Sequence, residues 1–504
     1  MNRTERTAAN AVTEIVAVVV QSLLGLVVTR TLIMTVGSDY SGINSTSGQL
    51  LTFLSLIEGG FTLAALVKLY EPYGRGDWES INRYLSLSAG TFRRMGVLYL
   101  LLGLAAVCIY APFVKTSAPI SVTASIMILS VLPSAFSVYW VSRFRLLYQV
   151  SQSEYVVYII QIATNIPMYV TEIIILKTTS NIIYARLCVA VFQILSGLLL
   201  GGVAMRKFRK ADFSRDPGGV EITGTKDVFV SRLCNIVHSA SPFLFISSFI
   251  GTAYTSVYAV YSSVFTVIGS VMNALLIAPR NALGQMFSSD ERERIETVYN
   301  EYELISTAVM AVLYSVTFAL IIPFVRLYTG SATDINYVDV PLALLFVLNE
   351  VCYVIHIPAG TCLEVSGSFR AIRRIHSAAA ALIIVLSLAG ALLGGLYGIL
   401  GAKLLTSIFL MTAEILSVRG NVLKSRFSTF FRINMPSIVT GNVLAAAEYF
   451  IVSGSVTGVF LFVMYGTALV LVNTLLIAFV NALVNRSYFL SALRRIRSIL
   501  PSGK

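Results

Sequence analysis

The sequence predicts an all-α, polytopic membrane protein of about fourteen transmembrane helices, two pseudo-symmetric six-helix lobes plus two extra helices. Three observations predict it. Of 504 residues, 56% are hydrophobic and only 12% charged, half the charged share of about 25% found in soluble domains. Apolar runs of about 20 residues recur from end to end, each long enough to cross a ~30 Å hydrocarbon core as a helix. Positions near the start recur about 214 residues later. Inside lipid every backbone group must be bonded internally, so the runs read as helices. The ~10-residue alternating segments of a barrel are not visible.

In chain order, the first six spans cover roughly 9–33, 45–69, 95–114, 119–142, 155–176 and 182–205. The next six cover 228–250, 254–281, 303–328, 340–363, 374–394 and 397–418, and two more lie near 436–453 and 457–485. Arg3 and Arg6 precede the first run without a small-residue cleavage site after it, so the first helix is expected to be retained. Alternate connections, starting from the N-terminus, collect 29 Lys and Arg, and the opposite side holds four: Arg30, Lys115, Lys177 and Arg326. That split obeys the positive-inside rule and places both termini in the cytoplasm. The +12 net charge then reflects topology and contact with anionic lipid headgroups, and requires no nucleic-acid partner.

The repeat is read residue by residue. A shift of 214 puts Gly37, Tyr40 and Ile43 on Gly251, Tyr254 and Val257, Thr52 on Thr266, and Glu79 and Ile81 on Glu293 and Ile295. Pro112–Lys115 recurs as Pro323–Arg326, and Val150, Ser151 and Ser153 recur as Val365, Ser366 and Ser368. An even number of spans per copy gives both copies the same orientation, and such repeats place a substrate between the halves. The expected domains are a first lobe, 1–210, a basic cytoplasmic linker, 211–226, a second lobe, 227–425, and two extra helices with a basic tail, 426–504. Pro217-Gly218-Gly219 suits a flexible hinge in the linker. Trp78, Ile81 and Leu85, and their echo Ile295, Val298 and Tyr302, predict two amphipathic segments lying in the membrane interface.

Enzyme chemistry finds no footing. There is no phosphate-binding loop of the Walker type and no HExxH, and the three histidines lack metal-ligand spacing. No cofactor or metal is expected. The five cysteines lie in apolar stretches and form no CxxC pair, so they read as packing residues.

The stretch from Arg30 to Tyr84 resembles the polysaccharide (Wzx-type) flippases of the multidrug/oligosaccharidyl-lipid/polysaccharide exporter superfamily. The resemblance is carried by Arg30, G-x-x-Y-x-G-I at Gly37–Ile43, L-S-L-I-E-G-G-F at Leu54–Phe61, L-Y-x-P at Leu69–Pro72 and the Asp77/Ile81 pair. Leu146–Val157 is similar to that family's span 4–5 turn. The resemblance implies a cell-membrane transporter that moves an undecaprenyl-diphosphate-linked oligosaccharide from the inner to the outer leaflet by alternating access, for lipopolysaccharide, capsule or exopolysaccharide synthesis. Other polysaccharide assembly enzymes are then expected partners. Fourteen spans also resemble the lipid II flippases of peptidoglycan synthesis. A drug/cation antiporter of the superfamily and a membrane glycan polymerase or ligase are the remaining alternatives.

A diphosphate stripped of water costs tens of kcal/mol on a Born estimate, so a flippase needs a wet cavity with cations. Ionisable residues within spans are the candidates. Arg30, Arg186, Arg232, Glu58 and Lys403 are expected to bind substrate, and Glu58 and Glu350 to couple an ion. Gly59-Gly60 beside Glu58 would allow close backbone approach. Glu172 makes a hairpin pair with Arg186 an equal reading, and Asn165 and Pro167 are expected to kink span 5. Lys403 lies about 10 Å below the end of span 12, too deep to snorkel readily. Either it faces a water-filled cavity and meets the diphosphate, or an acid from another helix, such as Glu350 or Glu172, neutralises it. The orientation has a direct test. In a cysteine-free background, a membrane-impermeant thiol reagent should label Thr179→Cys or Ser331→Cys in intact cells, and not Ser214→Cys or Ser289→Cys. The reverse pattern overturns it.

Overall fold

The computed structural model describes residues 3–499 apart from 59, 223–225, 289–291, 331 and 453. Gly59, Ser289 and Ser331, named above, lie outside the described residues. The regular elements among them are all helical, and the protein is a polytopic all-α membrane protein. By contacts it divides into two compact units, Met1–Ser256 and Val257–Lys504.

In the first unit, α1 (Arg3–Val36) ends at Gly37, whose φ of 101° starts α2 (Ser38–Leu54). A 3-10 turn, Ser55–Glu58, and Gly60 at φ 85° then bend the chain by 45° into α3 (Phe61–Arg75). Nothing lies within 4 Å of where a Cβ on Gly60 would be. Its role is the left-handed turn and not the close backbone approach expected from the sequence. Asp77 caps α4 (Trp78–Tyr110) by accepting the amides of Glu79 and Ser80 at 3.1 Å. Hydrogen bonds from Ser80 hold its carboxyl below the usual range.

The first amphipathic segment does not lie flat in the interface. It is the start of α4, a 33-residue helix of roughly 50 Å, longer than the hydrocarbon is thick. Ile81 and Leu85 are fully buried beside Ala65, Leu69, Phe92 and Phe144. Burying each such side chain from water contributes about 1.5–3 kcal/mol, which holds the extension upright against its neighbours. The echo behaves alike. Ile295, Val298 and Tyr302 are buried near the start of α11, introduced below.

α5 (Ile120–Phe136) passes through a π-helical stretch, Ser137–Val141, into α6 (Ser142–Val150). α7 (Tyr155–Thr179) runs unbroken through Pro167, and α8 (Ile182–Lys207) returns. The start of the linker docks on this unit: Asn82 donates to Lys210 O at 3.0 Å and accepts from Asp212 N at 2.9 Å. Arg143 lies 4.0 Å from the Trp140 ring centroid and 5.3 Å from that of Phe213. α9 (Lys226–Phe245) packs on α2 and so joins the first contact unit, although the sequence repeat begins with it. Its π-helical end, Ile246–Ile250, leads through Gly251 at φ 149° into α10 (Thr252–Ser288).

In the second unit α11 (Arg292–Thr329) is the hub. α12 (Val340–Ile355) is capped by Asp339, which accepts Leu342 N at 2.9 Å, and breaks at His356 into α13 (Ile357–Val365). α14 (Phe369–Ser417) has 49 residues, enough for ~74 Å. It is not one span. Gly395 has φ 55° and ψ −132° inside it. A Cβ on Gly390 would lie 2.3 Å from Gly398 O, and one on Gly398 2.0 Å from Gly390 O. The two arms fold back with their backbones in contact, as small residues permit. α15 (Ser428–Val452) and α16 (Val459–Val484) lie on α11, and α17 (Arg486–Ile499) follows. Asparagines fasten them: Asn473 to Ser315, Asn481 to Ser437 and Asn485 to Ile433 O, each at 2.8 Å.

Among the described residues twelve helices are long and apolar enough to cross a membrane, thirteen with the α2–α3 pair. Dividing α14 at Gly395 gives fourteen. The repeat is also visible in local geometry. Gln152 and Gly367 both have positive φ, 53° and 75°. Ser153 N bonds to Tyr148 O at 2.8 Å, and Ser368 N to Leu363 O at 2.9 Å. The hydroxyls of Ser151 and Ser153 meet at 2.5 Å and those of Ser366 and Ser368 at 3.0 Å.

The hairpin predicts a contrast between two adjacent glycines. Gly395→Ala forces a side chain into a conformation that costs about 1–3 kcal/mol, and should lower the thermal midpoint in detergent. Gly394→Ala, with ordinary φ and nothing within 4 Å of its Cβ position, should not. Equal midpoints would refute the fold-back at Gly395.

Candidate functional site

A polar cavity of about 640 Å³ opens within the first unit. Gln21 of α1, Glu58 and Thr62 of the α2–α3 bend, and Arg232 of α9 contribute to its wall. α5 and α6 add Ser134, Ser137, Ser142, Arg145 and Gln149, while α7 and α8 add Gln161, Asn165, Gln193 and Ser196. The spacing explains the convergence. Arg145/Gln149 and Gln161/Asn165 are four apart and Gln193/Ser196 three apart, so each pair shares one helix face. The π-helical stretch between α5 and α6 shifts the face by one residue, and serines above and below it share a wall. Thr62 donates to a Glu58 oxygen at 3.2 Å. The Gln149 amide oxygen is buried without a hydrogen-bond partner. Five amides, several hydroxyls, two guanidiniums and one carboxylate would be costly against lipid, where one Arg costs about 2.5–3.5 kcal/mol. Against water they are not. The wall can donate to and accept from neutral polar groups and can hold an anion.

The far end of this unit is tied shut. Gln21 is sixteen residues, roughly 24 Å, from the Gly37 turn. There Asp39 accepts Ser117 N at 3.0 Å and the hydroxyls of Ser117 and Thr252. Lys115 N donates to Ser247 O at 2.8 Å, and its ammonium to Phe249 O at 2.7 Å. The Tyr110 hydroxyl meets Leu244 O at 2.9 Å. Gly42 is required, because a Cβ would lie 1.7 Å from Thr252 O.

Fold and cavity together can be compared with solved structures. The fold is shared with transporters of the MOP superfamily. The lipid II flippase MurJ in an inward closed conformation superposes with a TM-score of 0.66 at 12% identity, over 91% of this chain and 97% of that one. A multidrug resistance MATE family transporter of the MOP superfamily, inward-facing, gives 0.60 at 12% identity, over 85% and 95%. The Vibrio cholerae MATE transporter VcmN in its bent form gives 0.52 at 13%, over 87% and 99%. No protein-family model and no curated protein matches the chain. These neighbours are transporters and a flippase, not enzymes.

The expected site residues fall into two groups. Glu58 and Arg232 line the cavity. Arg30 is exposed on α1 outside it. Arg186 is paired with Glu172, whose side chain is 1% exposed, across the α7–α8 hairpin. Lys403 belongs to the second unit and is paired, not open to water. Its ammonium donates to Glu350 Oε1 at 3.1 Å and lies 6.0 Å from the Tyr258 ring centroid. Asn349 donates to the same carboxylate at 2.8 Å and accepts from Ser407 at 2.9 Å. Sequence reasoning missed Arg145, which was counted as an inside-loop charge, and Gln21, Gln149, Gln161 and Gln193. Amides three or four apart from another polar residue in an apolar run were the available signal. It also missed Arg419, buried against Glu303 and Asn300.

Removing one partner of a buried pair costs about 3–5 kcal/mol, while replacing both by apolar residues is often neutral. Lys403→Gln is therefore expected to lower abundance and the melting temperature, and the double variant Lys403→Met, Glu350→Leu to recover both. Normal stability in Lys403→Gln with lost transport would show instead that the lysine meets the substrate.

Proposed function

We propose that this protein is a flippase moving an undecaprenyl-diphosphate-linked oligosaccharide from the inner to the outer leaflet of the cell (cytoplasmic) membrane, by alternating access, for surface polysaccharide synthesis. The observation that carries the reading is the cavity lining. Arg145 and Arg232 outnumber Glu58 and favour an anionic headgroup. The amides and hydroxyls suit sugar hydroxyls, and the volume falls in the range of small-molecule sites. The polyprenyl tail stays in the bilayer. An inside-negative potential favours outward anion movement by about 2.3 kcal/mol per charge per 100 mV, so no ATP is needed. Both termini are cytoplasmic, the basic inner loops meet anionic lipids, and polysaccharide assembly enzymes are the partners. Lipid II, the cargo in the name of the 0.66 structural neighbour, is the second reading, and it shares this headgroup chemistry.

The test uses proteoliposomes holding a fluorescent undecaprenyl-diphosphate-linked glycan, with an impermeant quencher outside. Flipping is expected without ATP. Arg145→Gln and Arg232→Gln each remove a charged hydrogen bond of about 1.5–3 kcal/mol, and should slow it roughly tenfold or more. Movement of a cationic dye that depends on Glu58, with no glycan movement, would identify a drug/cation antiporter instead.

A further inference from the structure

We infer that Glu414, His356 and His376 form a proton-binding site in the second unit, through which transport is coupled to proton movement. The binding stands on the geometry alone, whereas the coupling rests on the exporter reading above.

Two of the chain's three histidines converge on one acid. His356 Nδ1 is 2.8 Å from Glu414 Oε2, and His376 Nε2 is 2.8 Å from Oε1. The Glu414 side chain is 0% exposed. The groups come from three segments: the α12–α13 junction, the first arm of α14 and its second arm. Gly360 of α13 closes the remaining side, where a Cβ would lie 2.9 Å from Oε2. The second nitrogen of His356, Nε2, is buried with no hydrogen-bond partner.

With Glu414 ionised its oxygens can only accept, so each takes one ring N–H. With both rings neutral the cluster carries one negative charge, and one added proton makes it neutral. A net charge in this interior is costly unless paired, so the cluster is a place where one proton can be taken up. Charged and titratable groups on the packed elements are otherwise engaged or turned away. On α12, Glu350 is held by Lys403, and Tyr353 sets its ring edge against His356 with centroids 4.8 Å apart. On α13, Glu364 pairs with Arg280 at 2.8 Å, and Cys362 is a buried thiol. Beyond α14, Arg419 is taken by Glu303, and Arg373 and Arg374 are exposed on the turn before His376.

The unprotonated nitrogen of a neutral imidazole suits a proton and not sodium, which takes oxygen ligands. Among the described residues no group of His, Cys, Asp and Glu has metal-holding geometry. His356 ends α12 at a helix break, with Pro358 starting α13. A proton added to His356 changes the charge on the bond that fastens this break to Glu414 in the second arm of α14.

Three histidines give three resolvable ring signals in a ¹⁵N-histidine NMR titration of the full chain in nanodiscs, over about pH 5 to 8. His356→Gln and His376→Gln assign two of them. In the wild type these two should move together over one pH range, and in Glu414→Gln each should move alone. Signals that stay fixed, or move independently in the wild type, overturn the site. Voltage-clamped proteoliposomes with an internal pH dye and the fluorescent undecaprenyl-diphosphate-linked glycan test the coupling. Glycan movement should carry proton flux in the wild type, and Glu414→Gln should abolish that flux. Wild-type glycan movement without proton flux overturns the coupling. Joint titration with no glycan movement supports the proton site and overturns the flippase reading alone.

Discussion

A charged side chain within a membrane-spanning bundle must meet an opposite charge, meet water or climb to the interface, because lipid offers it nothing. That constraint sorts the charges of this protein. Arg186 with Glu172, Lys403 with Glu350 and Arg419 with Glu303 are buried pairs, each joining different helix segments. Glu58, Arg145 and Arg232 are left on the wall of a cavity. The first group fixes which helices are neighbours. The second fixes what the cavity can hold.

Backbone groups obey the same rule, and glycine handles the exceptions. A 49-residue helix must turn back within the membrane's thickness, and Gly395 supplies a conformation that other residues adopt only with strain. Gly390 and Gly398 let the arms meet without side chains between them, and Gly42 does so for Thr252. Where helices have no hydrophobic reason to associate in lipid, asparagines on α16 and the turn after it bond across to neighbouring helices.

Most of the fold was legible in the sequence, because span length and the side of the basic residues are set by bilayer physics and not by packing. The fourteen segments, the Gly37/Gly251 junctions and the Ser151/Ser366 turns were all readable from runs and shifts. The candidate site was legible only in part. Glu58 and Arg232 were found because they interrupt apolar runs. Arg145 was hidden because its position, next to a turn, satisfied the positive-inside count equally well. Lys403 and Glu350 were both flagged, but 53 residues separate them, and no local pattern told a pair from two separate sites. The amphipathic segments were misread as interfacial because a helical apolar stripe looks the same whether it faces lipid headgroups or the end of a helical bundle. The Glu414 cluster was invisible for the same reason as the Lys403 pair. Its three members lie 20 and 38 residues apart in the chain, and no local pattern joins them before three segments meet.

The duplication adds a last step. Turns and glycine junctions are alike in both copies, yet the side chains that carry chemistry are not. A shift of 215 places Arg145 on Gly360, Gln149 on Glu364 and Val141 on His356, and a shift of 214 places Glu58 on Met272 and Val18 on Arg232. The cavity's charges therefore have no counterparts at equivalent positions. At the place of Arg145 the second copy has a glycine, and that glycine makes room for the Glu414 carboxylate. At the place of a cavity-lining valine, Val141, it has the histidine that bonds to the same carboxylate. Two equivalent positions thus serve an open polar wall in one unit and a closed ionic cluster in the other. The backbone is shared where both copies need the same turn, at Gly37 and Gly251 and at Ser151–Ser153 and Ser366–Ser368. Side-chain demands differ, one set lining an open cavity and the other closing an ionic cluster, and duplicated helices can supply both without a change of fold.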